Sequence, residues 1–150
     1  MSDERRLAQQ QAIRLLAQRE YSRQELGTRI SRKHALNDSE LNDLLDELEQ
    51  SGYLDDQRYA EMFVRSSVLR GQGPLKIAYA LRDKGVAEAL ARAALDDAGT
   101  DWLEQARYQR KKKFGEAIPA NFKERARQSR FLAGRGFSID IINAVFHEKC

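Results

Sequence analysis

The sequence predicts an all-α protein: three tandem three-helix repeats stacked into an elongated array. Three observations carry that expectation. The chain is rich in Ala, Leu, Arg, Glu, Gln and Lys, which lose little entropy in a helix, and Pro74 and Pro119 are its only prolines. Apolar residues recur at helical spacing between side-chain caps and glycine stops. A block of the sequence also returns at a fixed offset.

The elements follow in order. Ala8, Ala12, Leu15 and Leu16 mark a first helix. Ser22-Arg23-Gln24-Glu25 reads as a reciprocal capping box that starts a second at Arg23. Leu41, Leu44, Leu45 and Leu48 form the i, i+3, i+4, i+7 stripe of a third, which Gly52 closes in a left-handed conformation. Tyr53 and Leu54 supply an apolar staple, and Asp55 and Asp56 cap a fourth helix through Tyr59, Phe63 and Val64. Gly71, Gly73 and Pro74 interrupt it, with Pro74 suited to the first turn of a helix that carries Ile77 and Leu81 and stops at Gly85. A helix with Leu90, Ala94 and Leu95 ends near Gly99. Asp101 and Glu104 then cap one reaching about Lys113. After a loop from Gly115 to Pro119, one helix ends by Gly134 or Gly136 and a last one is capped by Ser138.

Gly85 and Gly136 are 51 residues apart. The same offset pairs Leu81 with Leu132, Lys84 with Arg135, Val86 with Phe137, Leu90 with Ile141, Ala94 with Val145 and Leu95 with Phe146. Carried backward, it takes Leu81 to Ile30, Ile77 to Leu26 and Lys84 to Lys33, if the loop after His34 is about two residues longer. Three units are therefore expected, over residues 1–58, 59–100 and 101–150. The period is longer than the ~33–47 residues of common helical solenoids, and a trio that cannot cover its own apolar face must stack on its neighbour.

The run Gly52-Tyr53-Leu54-Asp55-Asp56-Gln57-Arg58-Tyr59-Ala60, followed by Arg70, Gly73-Pro74, Ile77, Leu81 and Lys84-Gly85, resembles the signature of the RecX family, regulators of the recombinase RecA. The triplicated pattern extends that resemblance over nearly the whole chain. It implies a curved array of three-helix repeats lodged in the groove of the RecA filament, touching adjacent protomers and DNA. It also implies inhibition of filament extension and of the ATPase, strand-exchange and coprotease activities of RecA.

Charge gives an independent lead. Residues 1–61 are net −4 and residues 62–150 net +7. From Arg107 to Arg135 the chain carries Arg107, Arg110, Lys111, Lys112, Lys113, Lys123, Arg125, Arg127, Arg130 and Arg135 against only Glu116 and Glu124. Solvated helices normally mix both signs, so this run points to nucleic acid or another polyanion, with weak, salt-sensitive binding of single- and double-stranded DNA the first expectation. Arg65, Arg70, Lys76, Arg82 and Lys84 give the middle repeat a positive character of its own and, by the resemblance, are second candidates for contact with RecA or DNA. The aromatic residues, among them Tyr53, Tyr79, Phe114, Phe122 and Phe131, are expected mainly in the core, with Tyr79 the exception to watch.

No enzyme or cofactor is expected. His34 and His147 lack spaced partners, Gly71-Gln72-Gly73-Pro74 is no phosphate loop, and the carboxylates Asp43, Asp46, Glu47 and Glu49 fit a solvated helix face better than a metal site. The lone Cys150 admits no internal disulfide, and neither a signal peptide nor a membrane span is evident, so a cytoplasmic monomer is expected. The competing reading is a sequence-specific regulator using one trio as a helix-turn-helix. The alanine-rich third helices suit packing better than base readout.

Overall fold

The computed structural model describes residues 3–147; Cys150 lies outside them. Among the described residues nine helices follow one another: α1 Asp3–Gln18, α2 Arg23–Lys33, α3 Asp38–Gln50, α4 Asp56–Leu69, α5 Pro74–Asp83, α6 Glu88–Asp97, α7 Trp102–Phe114, α8 Phe122–Arg135 and α9 Ile139–Phe146. No strand occurs among the described residues. All the closer helix–helix packing lies within α1–α3, α4–α6 and α7–α9.

Each trio has its own core. Ala8, Ala12, Leu26, Ile30, Leu44, Leu48 and Leu54 fill the first. Tyr59, Val64, Ile77, Leu81, Val86 and Ala94 fill the second, and Ala106, Leu132, Phe137, Ile142 and Val145 the third. Trp102 packs against both the second and the third. A row of small cores leaves more surface than one large core. The chain exposes 9417 Å², where a compact protein of this mass exposes about 7,800 Å².

The 51-residue correspondence is structural. Leu81 and Leu132 are both fully buried, as is Ile30. Gly85 and Gly136 both adopt positive φ, 82° and 102°, where a side chain would be strained. Val86 and Phe137, and Ala94 and Val145, are buried in matching places. The loops 34–37 and 84–87 are equally long, and the first unit's one extra residue before its third helix lies in α2, so that α3 begins at Asp38 and α6 at Glu88, fifty residues on. The sequence suggested two.

Local signals hold with three adjustments. Ser22 accepts from the Glu25 amide as a cap should, but the Glu25 carboxylate turns to Arg19 (3.0 Å) and Lys84 (3.8 Å) rather than completing a reciprocal box. The complete box is at Asn37 and Glu40, where each side chain meets the other's amide. The staple ahead of α4 is divided: Leu54 belongs to the first core, Tyr59 to the second, and Tyr53 is exposed.

Candidate nucleic-acid interface

The three trios meet at two joints, and the basic residues gather around the second. At the first, the loop after α5 sits on the start of α2. The Ser22 hydroxyl donates to the Lys84 carbonyl (2.7 Å), and the Gln24 amide to the Asp83 carbonyl (3.0 Å). Asp56 accepts from the Arg23 amide (2.7 Å), and Arg58 pairs with Glu20 (2.9 Å) while donating to the Gly52 and Tyr53 carbonyls. The Glu20 carboxylate holds the Arg58 guanidinium above its ordinary pKa. The Tyr59 hydroxyl, buried beside Glu25, is pushed up to about 12, chiefly by desolvation.

These contacts explain most of the family-like run. Gly52 closes α3 at φ 82°, Leu54 seals the first core, and Asp55 caps α4 by accepting from the Gln57 and Arg58 amides. Asp56 and Arg58 tie the second unit to the first. Asp46 and Glu49, weighed above as metal ligands, both pair with Arg23 at 2.8 Å, and Glu47 pairs with Arg5. No group of three or more His, Cys, Asp or Glu among the described residues could hold a metal ion.

The second joint repeats the first one 51 residues later. The loop after α8 sits on the start of α5. The Gly73 amide donates to the Arg135 carbonyl (2.7 Å), and the Leu75 amide to the Gly136 carbonyl (3.0 Å). Gly73 and Pro74 now have a reason. A Cβ on Gly73 would lie 2.6 Å from the Gly136 backbone, and Pro74 needs no acceptor where Arg23 needs Asp56.

Around this joint Arg70, Lys112, Lys113 and Arg135 line one cleft together with Tyr108, Gln109 and Phe131. Aromatic rings extend the belt. Lys113 and Arg135 lie 5.6 and 5.2 Å from the Phe131 ring, Phe131 meets Phe114 edge-on at 5.4 Å, and Arg127 lies 4.9 Å from Phe114. Lys123, Arg127 and Arg130 share one face of α8 by their spacing. Arg127 also grips Glu124 through two bonds of 2.9 and 3.0 Å, which holds the Glu124 carboxyl below its ordinary pKa.

Some candidates fall outside the belt. Arg110 is a correction: it is 6% exposed and donates to Gln128 and to the Glu116 and Ala117 carbonyls, so it organises the α7–α8 loop and offers nothing to a ligand. Arg107 pairs with Glu104, and Arg125 sits over the Phe146 ring (5.2 Å). Lys111 lies 3.8 Å from Glu116 and is otherwise exposed. In the middle unit Arg65 and Arg82 are exposed, Lys84 pairs with Glu25, and Lys76 reaches the Gly134 carbonyl at 3.5 Å.

The expectation that aromatics fill the core fails at Tyr53 and Phe122, which are 47% and 85% exposed, while Tyr79, the residue set apart, is 70% exposed. Tyr108 is also exposed, at 57%. Its signal was present in the sequence: an aromatic residue one helical turn before Lys112, inside the most basic run of the chain.

Comparison with known proteins identifies the architecture. Residues 55–95 match the model for the second three-helix domain of RecX, and residues 100–146 the model for the third. The regulatory protein RecX of Halorhodospira halophila (strain DSM 244 / SL1) is 45% identical over 133 residues, covering 89% of this chain and 82% of that one. The chain belongs to the RecX family. The RecX protein of Acidithiobacillus ferrooxidans (strain ATCC 53993 / BNL-5-31) is 41% identical, covering 89% of this chain and 85% of its own. The fold agrees with the crystal structure of RecX from Lactobacillus salivarius at a TM-score of 0.81 and 21% identity, over 97% of this chain and 96% of that one. The chain is thus a RecX-type regulatory protein, and no described helix is long and apolar enough to cross a membrane.

Proposed function

We propose that the chain binds RecA nucleoprotein filaments and inhibits RecA filament extension, ATPase, strand exchange and coprotease activity, with weak, non-specific DNA binding through the belt around its second joint. Family membership supports RecA as the partner. The observation that carries the DNA part is the gathering of Arg70, Lys112, Lys113 and Arg135, from two units, at one cleft. No carboxylate among the described residues stands within ion-pair distance of any of the four, so their charge remains available to phosphates. The acidic first unit orients the array against a polymeric partner of alternating charge, which steers binding more than it strengthens it.

The test is the ATPase of RecA on single-stranded DNA, followed while this protein is added. Inhibition well below one copy per RecA subunit is expected. The triple substitution Lys111→Glu, Lys112→Glu and Lys113→Glu raises the inhibitory dose, and an unchanged dose removes that cluster from the mechanism.

A further inference from the structure

The cleft at the second joint has features that a generic basic surface lacks. It has a volume of about 460 Å³, inside the roughly 300–1,000 Å³ range of small-ligand sites. Tyr108 presents an exposed ring at its rim, with the Lys112 ammonium 6.0 Å from the ring centre. Arg70 enters from the second unit; Lys112, Lys113 and Arg135 enter from the third. Arg135 is fixed by its bond to the Arg70 carbonyl (3.2 Å), and Arg70 by its bond to the Ser67 hydroxyl (3.2 Å). Gln109 lines the same cleft, its amide lying over Gly71 and making no side-chain hydrogen bond among the described residues.

We propose that this cleft holds one nucleotide of single-stranded DNA, its base stacked on Tyr108 and its flanking phosphates shared between Arg70 and the cations of the third unit. Cations alone do not distinguish strands, because every nucleic acid has phosphates. An accessible aromatic face among them does, because only a single strand can offer an unstacked base. The Gln109 amide supplies a donor and an acceptor where a base edge or sugar would otherwise lose its hydrogen bonds to water. Occupancy also bridges the two units, since the phosphate contacts come from both sides of the joint. The proposal rests on the reading that the basic belt binds DNA.

The experiment measures fluorescence anisotropy of three labelled DNAs, an oligothymidylate, an abasic strand of equal length and a duplex, against the wild type, Tyr108→Ala, Tyr108→Phe and Arg70→Ala. Tyr108→Ala is expected to weaken oligothymidylate binding about five-fold or more, the scale of one base–aromatic stack, and to leave the abasic strand and duplex unchanged. Tyr108→Phe retains binding, and Arg70→Ala weakens all three. Unaltered oligothymidylate binding by Tyr108→Ala, or an equal loss on all three DNAs, overturns the stacking site while leaving the basic belt in place. A wild type that binds none of the DNAs at low salt overturns the belt and the site together.

Discussion

The joint between α1–α3 and α4–α6 and the joint between α4–α6 and α7–α9 occupy equivalent positions, yet they are held by different chemistry. Position for position, Ser22 and Gly73 meet the carbonyls of Lys84 and Arg135. At the first joint the donor is a hydroxyl, and Glu25 offsets Lys84. At the second the donor is backbone, the chains are closer, and the positions of Glu25 and Lys84 hold Lys76 and Arg135. One joint is neutralised from within; the other keeps a surplus of positive charge. A duplicated contact has been conserved in geometry and reassigned in electrostatics, and the surplus is what makes the second joint a place for an anion.

The largest effect that tests this difference is steric. Gly73→Ala places a methyl group against the backbone of Gly136 and Phe137, which cannot swing aside, and is expected to cost about 2–3 kcal/mol in thermal or urea unfolding. Gly85→Ala at the first joint meets the Gln24 side chain, Cβ included, rather than main chain and adds positive-φ strain; it should cost less because no backbone lies against it as closely. Equal losses would show that the two joints are equally tight.

Ser22→Ala comes next. It removes both a helix cap and the donor to Lys84, a loss of about 1–2 kcal/mol by denaturant titration, and Ser22→Thr should recover part of it. Alkali should then act on the first joint. The folded-state pKa of Tyr59 is raised, so its contribution is complete below the unfolded value near 10 and is lost as pH rises towards about 12. Up to about 1 kcal/mol of stability should disappear by pH 11. Tyr59→Phe should flatten that part of the pH–stability curve, and a curve of unchanged slope would remove Tyr59 as its cause.

The smallest effect is an exchange of charge. Glu25→Lys gives the first joint the charges of the second and should lose roughly 0.5 kcal/mol at low salt, recovered as salt screens the repulsion. Lys76→Glu gives the second joint the charges of the first and should gain a comparable few tenths. It should also lower DNA affinity by weakening the local positive field. A Lys76→Glu variant with undiminished affinity would separate the joint's charge from DNA binding.

Much of this was legible in the sequence because it is local. Ser22, Asp55, Asp101 and Ser138 cap helices since a short side-chain oxygen reaches an amide two or three residues on, whatever the rest of the chain does. Gly52, Gly85 and Gly136 end helices because positive φ is cheap only for glycine. The repeat was readable because equivalent core positions require similar side chains, as the matched burial of Leu81 and Leu132 bears out. Asn37 and Asn121 cap α3 and α8 in the same way, accepting from the amides of Glu40 and Glu124.

The candidate site was less legible. Charge can be counted along the chain, but whether a cation faces solvent depends on what the next helix brings near it. Arg110 and Lys111 are neighbours in sequence, yet one is sealed against Gln128 and the α7–α8 loop and the other lies in water.

The sequence by itself determined the helices, their ends, the threefold repetition and the excess of positive charge, because each follows from short-range backbone preference or from composition. Only the tertiary structure decided which cations share a cleft, that Tyr108 and Gln109 stand among them, and that one joint is charge-balanced while the other is not. Those properties belong to pairs such as Arg70 and Arg135, 65 residues apart, and interactions across that separation are set by how whole trios stack.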